Sequence, residues 1–170
     1  MGLKLISAYG HVPEVGQLFT EYTEMLIAGD PSFKEYLDIQ NYDEELDHLD
    51  EKYGQPFGRL YLAYYDEELA GCIGLKKIDE NNCEMKRLYV RSGFRGKHIG
   101  SRLIEQIIED AKRIGYSHMW LDTLPFLESA IHLYREYGFY ETDSYNDSPM
   151  STSIYMKLDL MNSLASEGGN

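Results

Sequence analysis

The chain has 170 residues, with 29 Asp and Glu against 16 Lys and Arg, and a formal net charge of −13. That length suits one domain with a sizeable core, and 43% hydrophobic with 26% charged residues is ordinary for a soluble globule. The negative charge argues against nucleic acid and anionic membrane as partners; it is compatible with a cationic substrate such as an amine, and equally with simple solubility.

In chain order, Leu3 to Tyr9 reads as a strand with Leu3, Leu5 and Ala8 inward. Gly10-His11-Val12-Pro13 ends it, and Pro13 suits the first turn of a helix. Glu14 to Ala28 is that helix, with Val15, Leu18, Phe19, Tyr22, Met25 and Leu26 at helical spacing and Gly29-Asp30-Pro31 as its stop. Ser32 to Tyr53 is the most acidic segment, from Glu35 and Asp38 to Asp50 and Glu51, and Tyr42, Leu46 and Leu49 mark a short amphipathic helix. Its charge reads either as a solvated helix face or as one wall of a cleft that attracts cations. Gly54 to Gly58 is a loop by composition.

Arg59 to Tyr65 and Leu69 to Lys77 are two strands joined by Asp66-Glu67-Glu68, and Asp79 to Asn82 turns the chain into a third, Cys83 to Val90. The helix from about Gly100 to Ile114 stops at Gly115. A strand at His118 to Thr123 and a helix at Leu127 to Tyr137 follow, the latter terminated by Gly138. Phe139 to Tyr145 and Ser153 to Leu158 are the last strands, with a loop over Asn146 to Met150. Residues 161–170 carry little core signal and are expected to fray. The order β-α-α-β-β-β-α-β-α-β-β predicts a mixed sheet flanked by helices. Cys72 and Cys83 sit in apolar strands, are too few for a disulfide framework, and are expected to be small buried hydrophobes. The histidines and cysteines show no metal-ligand spacing. No apolar run reaches the length of a membrane span, and Met1 to Leu5 lacks the apolar segment of a signal peptide, so a cytoplasmic location is expected.

The chemistry concentrates between Cys83 and Leu103, where a strand feeds a basic, glycine-bearing turn and then a helix. From Met85 to Ile104 there is no acid, where even scattering would place about three. The same window holds Lys86, Arg87, Arg91, Arg95, Lys97 and Arg102. Unpaired amides and the positive end of the helix dipole both point into such a turn, which suits a polyphosphate. A solvated basic edge is the plainer alternative. The spacing matches neither the Walker pattern nor the dinucleotide fingerprint.

Arg95-Gly96-Lys97-His98-Ile99-Gly100 instead resembles the acyl-CoA pyrophosphate loop of the GNAT superfamily of N-acyltransferases, Arg/Gln-x-x-Gly-x-Gly/Ala. His98 stands in the slot of the first motif glycine; histidine enters left-handed backbone space more readily than most side chains. A second stretch, Ala130 to Phe139, is similar to the family's Ala-x-x-Leu-Tyr-x-x-x-Gly-Phe helix, with Leu127 where many members carry an Asn. The resemblance spans about residues 3 to 159. It implies an α/β (α+β) fold with a mixed, mostly antiparallel central sheet of about seven strands and about four helices, forming one N-acetyltransferase domain over residues 1–160.

The implied reaction is acetyl transfer from acetyl-CoA, with no metal, to a primary amine on a small molecule or amino acid, by direct attack with both substrates bound. Arg95, Gly96, Lys97, His98, Ile99, Gly100 and Ser101 are then expected to wrap the pyrophosphate. Leu88, Tyr89 and Val90 are expected to pair with the pantetheine arm through their main chain, beside a bulge that parts this strand from its parallel neighbour. Glu84 is the expected base, with Asp122 as an alternative, and Tyr134 the expected acid toward the departing thiolate. Alternation places Glu84, Lys86, Leu88 and Val90 on one face. The acidic segment, Phe57 and the loop from Tyr145 to Met150 are expected on the acceptor side. The resemblance leaves a homodimer open. It also leaves open a non-catalytic acyl-CoA sensor, an interaction module whose basic loop docks an acidic partner, and transfer to a hydroxyl.

Overall fold

The computed structural model describes residues 2–32, 34, 45, 47–145 and 153–160. The strands are β1 (Leu3–Ser7), β2 (Arg59–Tyr65), β3 (Glu68–Lys77), β4 (Asn82–Val90), β5 (His118–Thr123), β6 (Tyr140–Thr142) and β7 (Ile154–Asp159). Among the described residues the longer helical segments are α1 (Val12–Gly29), α2 (Leu49–Tyr53), α3 (Ile99–Ile114) and α4 (Glu128–Glu136), with a 3-10 turn at Ser92–Phe94. The strands form one sheet in the order β1-β2-β3-β4-β5-β7-β6. Each neighbouring pair is antiparallel except β4 with β5. The mixed, mostly antiparallel seven-stranded sheet flanked by about four helices among the described residues is therefore the fold.

The boundaries differ from the sequence expectation in informative places. Asp66 and Glu67 alone make the β2–β3 turn, with φ of 48° and 72°, and Glu68 already belongs to β3. Positive φ at both central positions gives the turn the twist of the strands it joins. β6 is shorter than expected because the Phe139 amide still bonds the Tyr134 carbonyl at 3.1 Å, closing the end of α4, and pairing with β7 ends at Thr142. Of the expected acidic helix, Leu49 is buried on α2, whereas Tyr42 and Leu46 lie outside the described residues, as do the loop 146–150 and the tail 161–170.

Apolar side chains fill both sides of the sheet. On one side Leu103, Ile104, Ile107 and Ala111 of α3 pack with Ile73, Leu75, Cys83, Met85, Met119 and Leu121 of the strands, and Leu133 and Tyr134 of α4 join them. On the other side Val15, Leu18 and Phe19 of α1 and Leu49 and Tyr53 of α2 meet Leu60, Leu62 and Cys72. Both cysteines are fully buried, and burial pushes the Cys72 thiol up to about 12. No described helix is long and apolar enough to cross a membrane.

The central strand β4 is not regular. Gly71 and Cys72 of β3 face Val90 and Tyr89, but Gly74 faces Lys86, so Ile73 opposes both Arg87 and Leu88. The extra residue is a β-bulge, and Arg87 turns it with a φ of +60°. This overturns the expected shared face. Leu88 and Val90 pack with Cys83 and Met85 toward α3, whereas Tyr89 packs toward α1. Glu84 and Lys86, alternating with Cys83 and Met85, lie on the α1–α2 side. There the buried Arg87 guanidinium pairs with Glu45 and lies 5.4 Å from the Phe19 ring centre. Lys52 Nζ reaches Glu45 at 2.6 Å and the Tyr53 hydroxyl donates to it at 2.8 Å.

Burial raises the Glu45 carboxyl, but the charges of Arg87 and Lys52 outweigh it and hold the group at about 2 instead of the usual 4.5. A depressed carboxyl stabilises the fold above its unfolded value and loses that contribution as pH falls through the folded one. Denaturant unfolding should therefore show stability falling between about pH 5 and pH 2 by on the order of 3 kcal/mol, and Glu45→Gln should flatten that slope. The start of α3 supplies a second test. Its N-cap His98 is left-handed, with φ 60° and ψ 25°. His98→Val should cost about 1–2 kcal/mol, whereas His98→Gly should be neutral or stabilising by up to about 1 kcal/mol.

Candidate active site

β4 and the parallel β5 are paired only from Asn82 opposite His118 to Glu84 opposite Trp120. Beyond Glu84 they part, because the bulge turns β4 away. A cleft of about 520 Å³ opens along the freed end of β4. Leu88, Tyr89 and Val90 form one wall, and Ala130, Leu133 and Tyr134 of α4 line it as well. Tyr22 and Met25 of α1 reach its edge, and α1 is clamped there by Leu26 against Leu124, with Leu127 packed on them. The clamp is close: a Cβ at Gly29 would run into the ring of Phe126.

The far end of the cleft is the turn before α3. Arg95, Gly96, His98, Ile99, Gly100 and Ser101 all line it. Gly96, with φ +80°, and His98 give the turn two left-handed residues. No side chain caps α3 and no acid lies in its first turn. The first-turn amides thus have no intrahelical acceptor, and the dipole is uncompensated. A Cβ at Gly100 would come 3.3 Å from Leu133 Cδ2, so the slot between α3 and α4 is narrow. A diphosphate on an extended arm fits these features: open amides at one end and an apolar slot beside an unpaired strand edge. Lys97 is not among the lining residues; its Nζ lies 4.9 Å from the Tyr65 ring centre.

The acid-free window does not form a single cationic patch. Arg91 pairs with Glu21 at 2.7 Å, Arg87 with Glu45, and Lys86 Nζ lies 4.0 Å from Glu84.

Tyr134 is 7% exposed and lines the cleft. Burial, then the neighbouring Tyr22 and Asp122, push its phenol well above the ordinary value of 10, so it stays protonated near neutral pH. Glu84 is 5% exposed and does not line the cleft. It stands on the opposite face of the sheet, at the last paired position before the strands part. The Tyr145 hydroxyl donates to its Oε2 at 2.6 Å. The Tyr145 ring lies 5.1 Å from that of Trp120 and 5.6 Å from that of Tyr155, an aromatic wall beside the carboxylate. Asp122 follows Trp120 by two residues on β5, with the buried Leu121 between them.

Tyr22, Met25 and Phe126 are lining residues that sequence reasoning missed as such. The first two repeat at helical spacing on α1 and were indistinguishable from core. Nothing in the sequence tied Tyr145 to Glu84, 61 residues away.

The family model described as the acetyltransferase (GNAT) family matches residues 18–139. An uncharacterized N-acetyltransferase of Dictyostelium discoideum is 35% identical over 94% of this chain and 100% of its own length. An acetyltransferase structure from Streptococcus agalactiae superposes with a TM-score of 0.73 at 19% identity, covering 94% of this chain and 99% of that one. A GNAT family acetyltransferase from Elizabethkingia anophelis with acetyl-CoA bound has a TM-score of 0.52 at 27% identity, over 61% of this chain and 76% of its own. The bulged β4, the open α3 N-terminus and the Ala130–Phe139 segment all lie within the matched stretch, and the chain belongs to the acetyltransferase (GNAT) family.

Proposed function

We propose that the protein is an N-acetyltransferase that moves the acetyl group of acetyl-CoA to a primary amine by direct attack, with both substrates bound. One observation carries this reading: a buried carboxylate and a buried, protonated phenol flank the point where β4 and β5 part, beside a helix start open to phosphate. The acetyl-CoA held by the Elizabethkingia relative supports the choice of acyl donor.

The thioester supplies the activated acetyl group; the chain positions it and manages two protons. The amides of Gly96 to Ser101 receive the diphosphate, and the main chain of Leu88 to Val90 pairs with the arm and polarises the carbonyl. An alkyl amine is mostly protonated at neutral pH, with a reference value of about 10.4. Glu84, directly or through a water, takes the proton that the nitrogen must lose. The nitrogen–carbon bond forms, the carbon–sulfur bond breaks, and Tyr134 donates its proton to the leaving sulfur. Burial keeps its phenol protonated, so it enters the step holding the proton that the sulfur takes up.

Thiol release from acetyl-CoA over a panel of amines tests the reading. Tyr134→Phe should lower kcat about a hundredfold and leave acetyl-CoA affinity within about twofold; full activity would remove Tyr134 as the acid. Glu84→Gln should lose most rate near neutral pH and recover in alkali as free amine accumulates. A loss equal at every pH would exclude Glu84 as base and transfer the test to Asp122→Asn. Gly100→Trp, which fills the slot beside Leu133, should abolish the rise in Tm that acetyl-CoA produces.

A further inference from the structure

We infer that the acceptor amine carries a carboxylate next to its nitrogen, as in an α-amino acid, and that Lys86 selects it. The inference rests on the N-acetyltransferase reading, since it takes Glu84 as the group that meets the amine.

Lys86 follows Glu84 by two residues and shares its face of β4. Its side chain is only 16% exposed, and Nζ lies 4.0 Å from Glu84 Oε1, beyond hydrogen-bonding distance. Glu84 is already engaged by the Tyr145 hydroxyl. On the neighbouring side, Lys52 and Arg87 both pair with Glu45. Among the described residues, the Lys86 ammonium is left with Glu84 alone, while Lys52 and Arg87 share Glu45. Lys86 lies close enough to Lys52 that, after burial, its charge is the next cause bringing the Lys52 pKa down to about 8, against the pull of Glu45.

This differs from the cation-attracting wall that was one expectation for the acidic segment. Glu45 cannot serve as such a wall, because Arg87 and Lys52 already take up its charge. What the acceptor side offers is a dipole, Glu84 to Lys86, with opposite charges about 4 Å apart. An ammonium and a carboxylate on one carbon, laid against it head to tail, place each charge on its opposite. The nitrogen then sits on Glu84, and the carboxylate gives the Lys86 ammonium a hydrogen-bond acceptor, which it does not have among the described residues. A plain monoamine would cover Lys86 without compensating it, and such uncompensated burial is how a site rejects a substrate missing one polar group. Trp120, Tyr145 and Tyr155 stand beside Glu84, where the remainder of the acceptor would lie.

The test compares matched pairs, each α-amino acid with its decarboxylated amine, such as phenylalanine with phenethylamine and leucine with isopentylamine, by thiol release from acetyl-CoA. For the preferred pair, kcat/KM should favour the amino acid by at least about tenfold. Lys86→Met should shrink that ratio mainly through KM, and Lys86→Arg should restore most of it. Calorimetry on the wild-type protein with CoA should show the N-acetylamino acid binding more tightly than the N-acetylamine, a readout that needs no variant to fold. A monoamine turned over as well as its amino acid, or a ratio unmoved by Lys86→Met in a folded protein, would overturn the inference while leaving the acetyltransferase reading intact. No thiol release from any member of the panel would overturn both.

Discussion

Arg87 sits at a backbone angle few large side chains adopt, and much of the structure depends on its being held there. Its guanidinium is pinned by Glu45 and by the Phe19 ring, so α1, α2 and the central strand are locked at one point. Removing one member of a buried pair of this kind typically costs about 3–5 kcal/mol. The same residue supplies the extra length that exchanges the faces of β4 and steers it from β5. The ion pair that stabilises one side of the sheet and the opening on the other side are consequences of one inserted residue.

That arrangement divides the electrostatics of the molecule. Toward α3, an uncapped helix start presents main-chain donors to an anion without any buried carboxylate nearby in sequence. Toward α1 and α2, cations and carboxylates are interleaved within a few ångströms. The sheet is the partition between them, and β4 and β5 part beyond Glu84. On the proposed reading the acyl donor approaches from one face and the acceptor from the other, and neither has to vacate its place for the other to bind.

Much of this was legible in the chain. Hydrophobic periodicity located nearly every element, and β2 and β5 have the boundaries expected of them. The loop over Arg95 to Ser101 was readable because glycine placement, missing acids and a following helix all agreed. The bulge was not readable from alternation: a period of two has no way to register one inserted residue, so Leu88 and Val90 were assigned to the wrong face. Nor could the charges be assigned partners. Lys86, Arg87 and Arg91 looked like part of the same basic patch as Arg95, yet the fold brings Arg87 to Glu45 and Arg91 to Glu21, contacts spanning 42 and 70 residues. Tyr22 and Met25 were hidden by an ambiguity in principle, since an apolar stripe looks the same whether it meets a core or the rim of a cleft.

Gly29 has no chemistry of its own, yet the bore of the cleft depends on it. With hydrogen as its side chain, the last turn of α1 settles onto Phe126 and carries Tyr22 and Met25 inward. A single methyl group there would meet the Phe126 ring, an exposed lining side chain, and push that ring, and with it one rim of the cleft, aside. One rim of the cleft is thus shaped in part by a residue that does not line it.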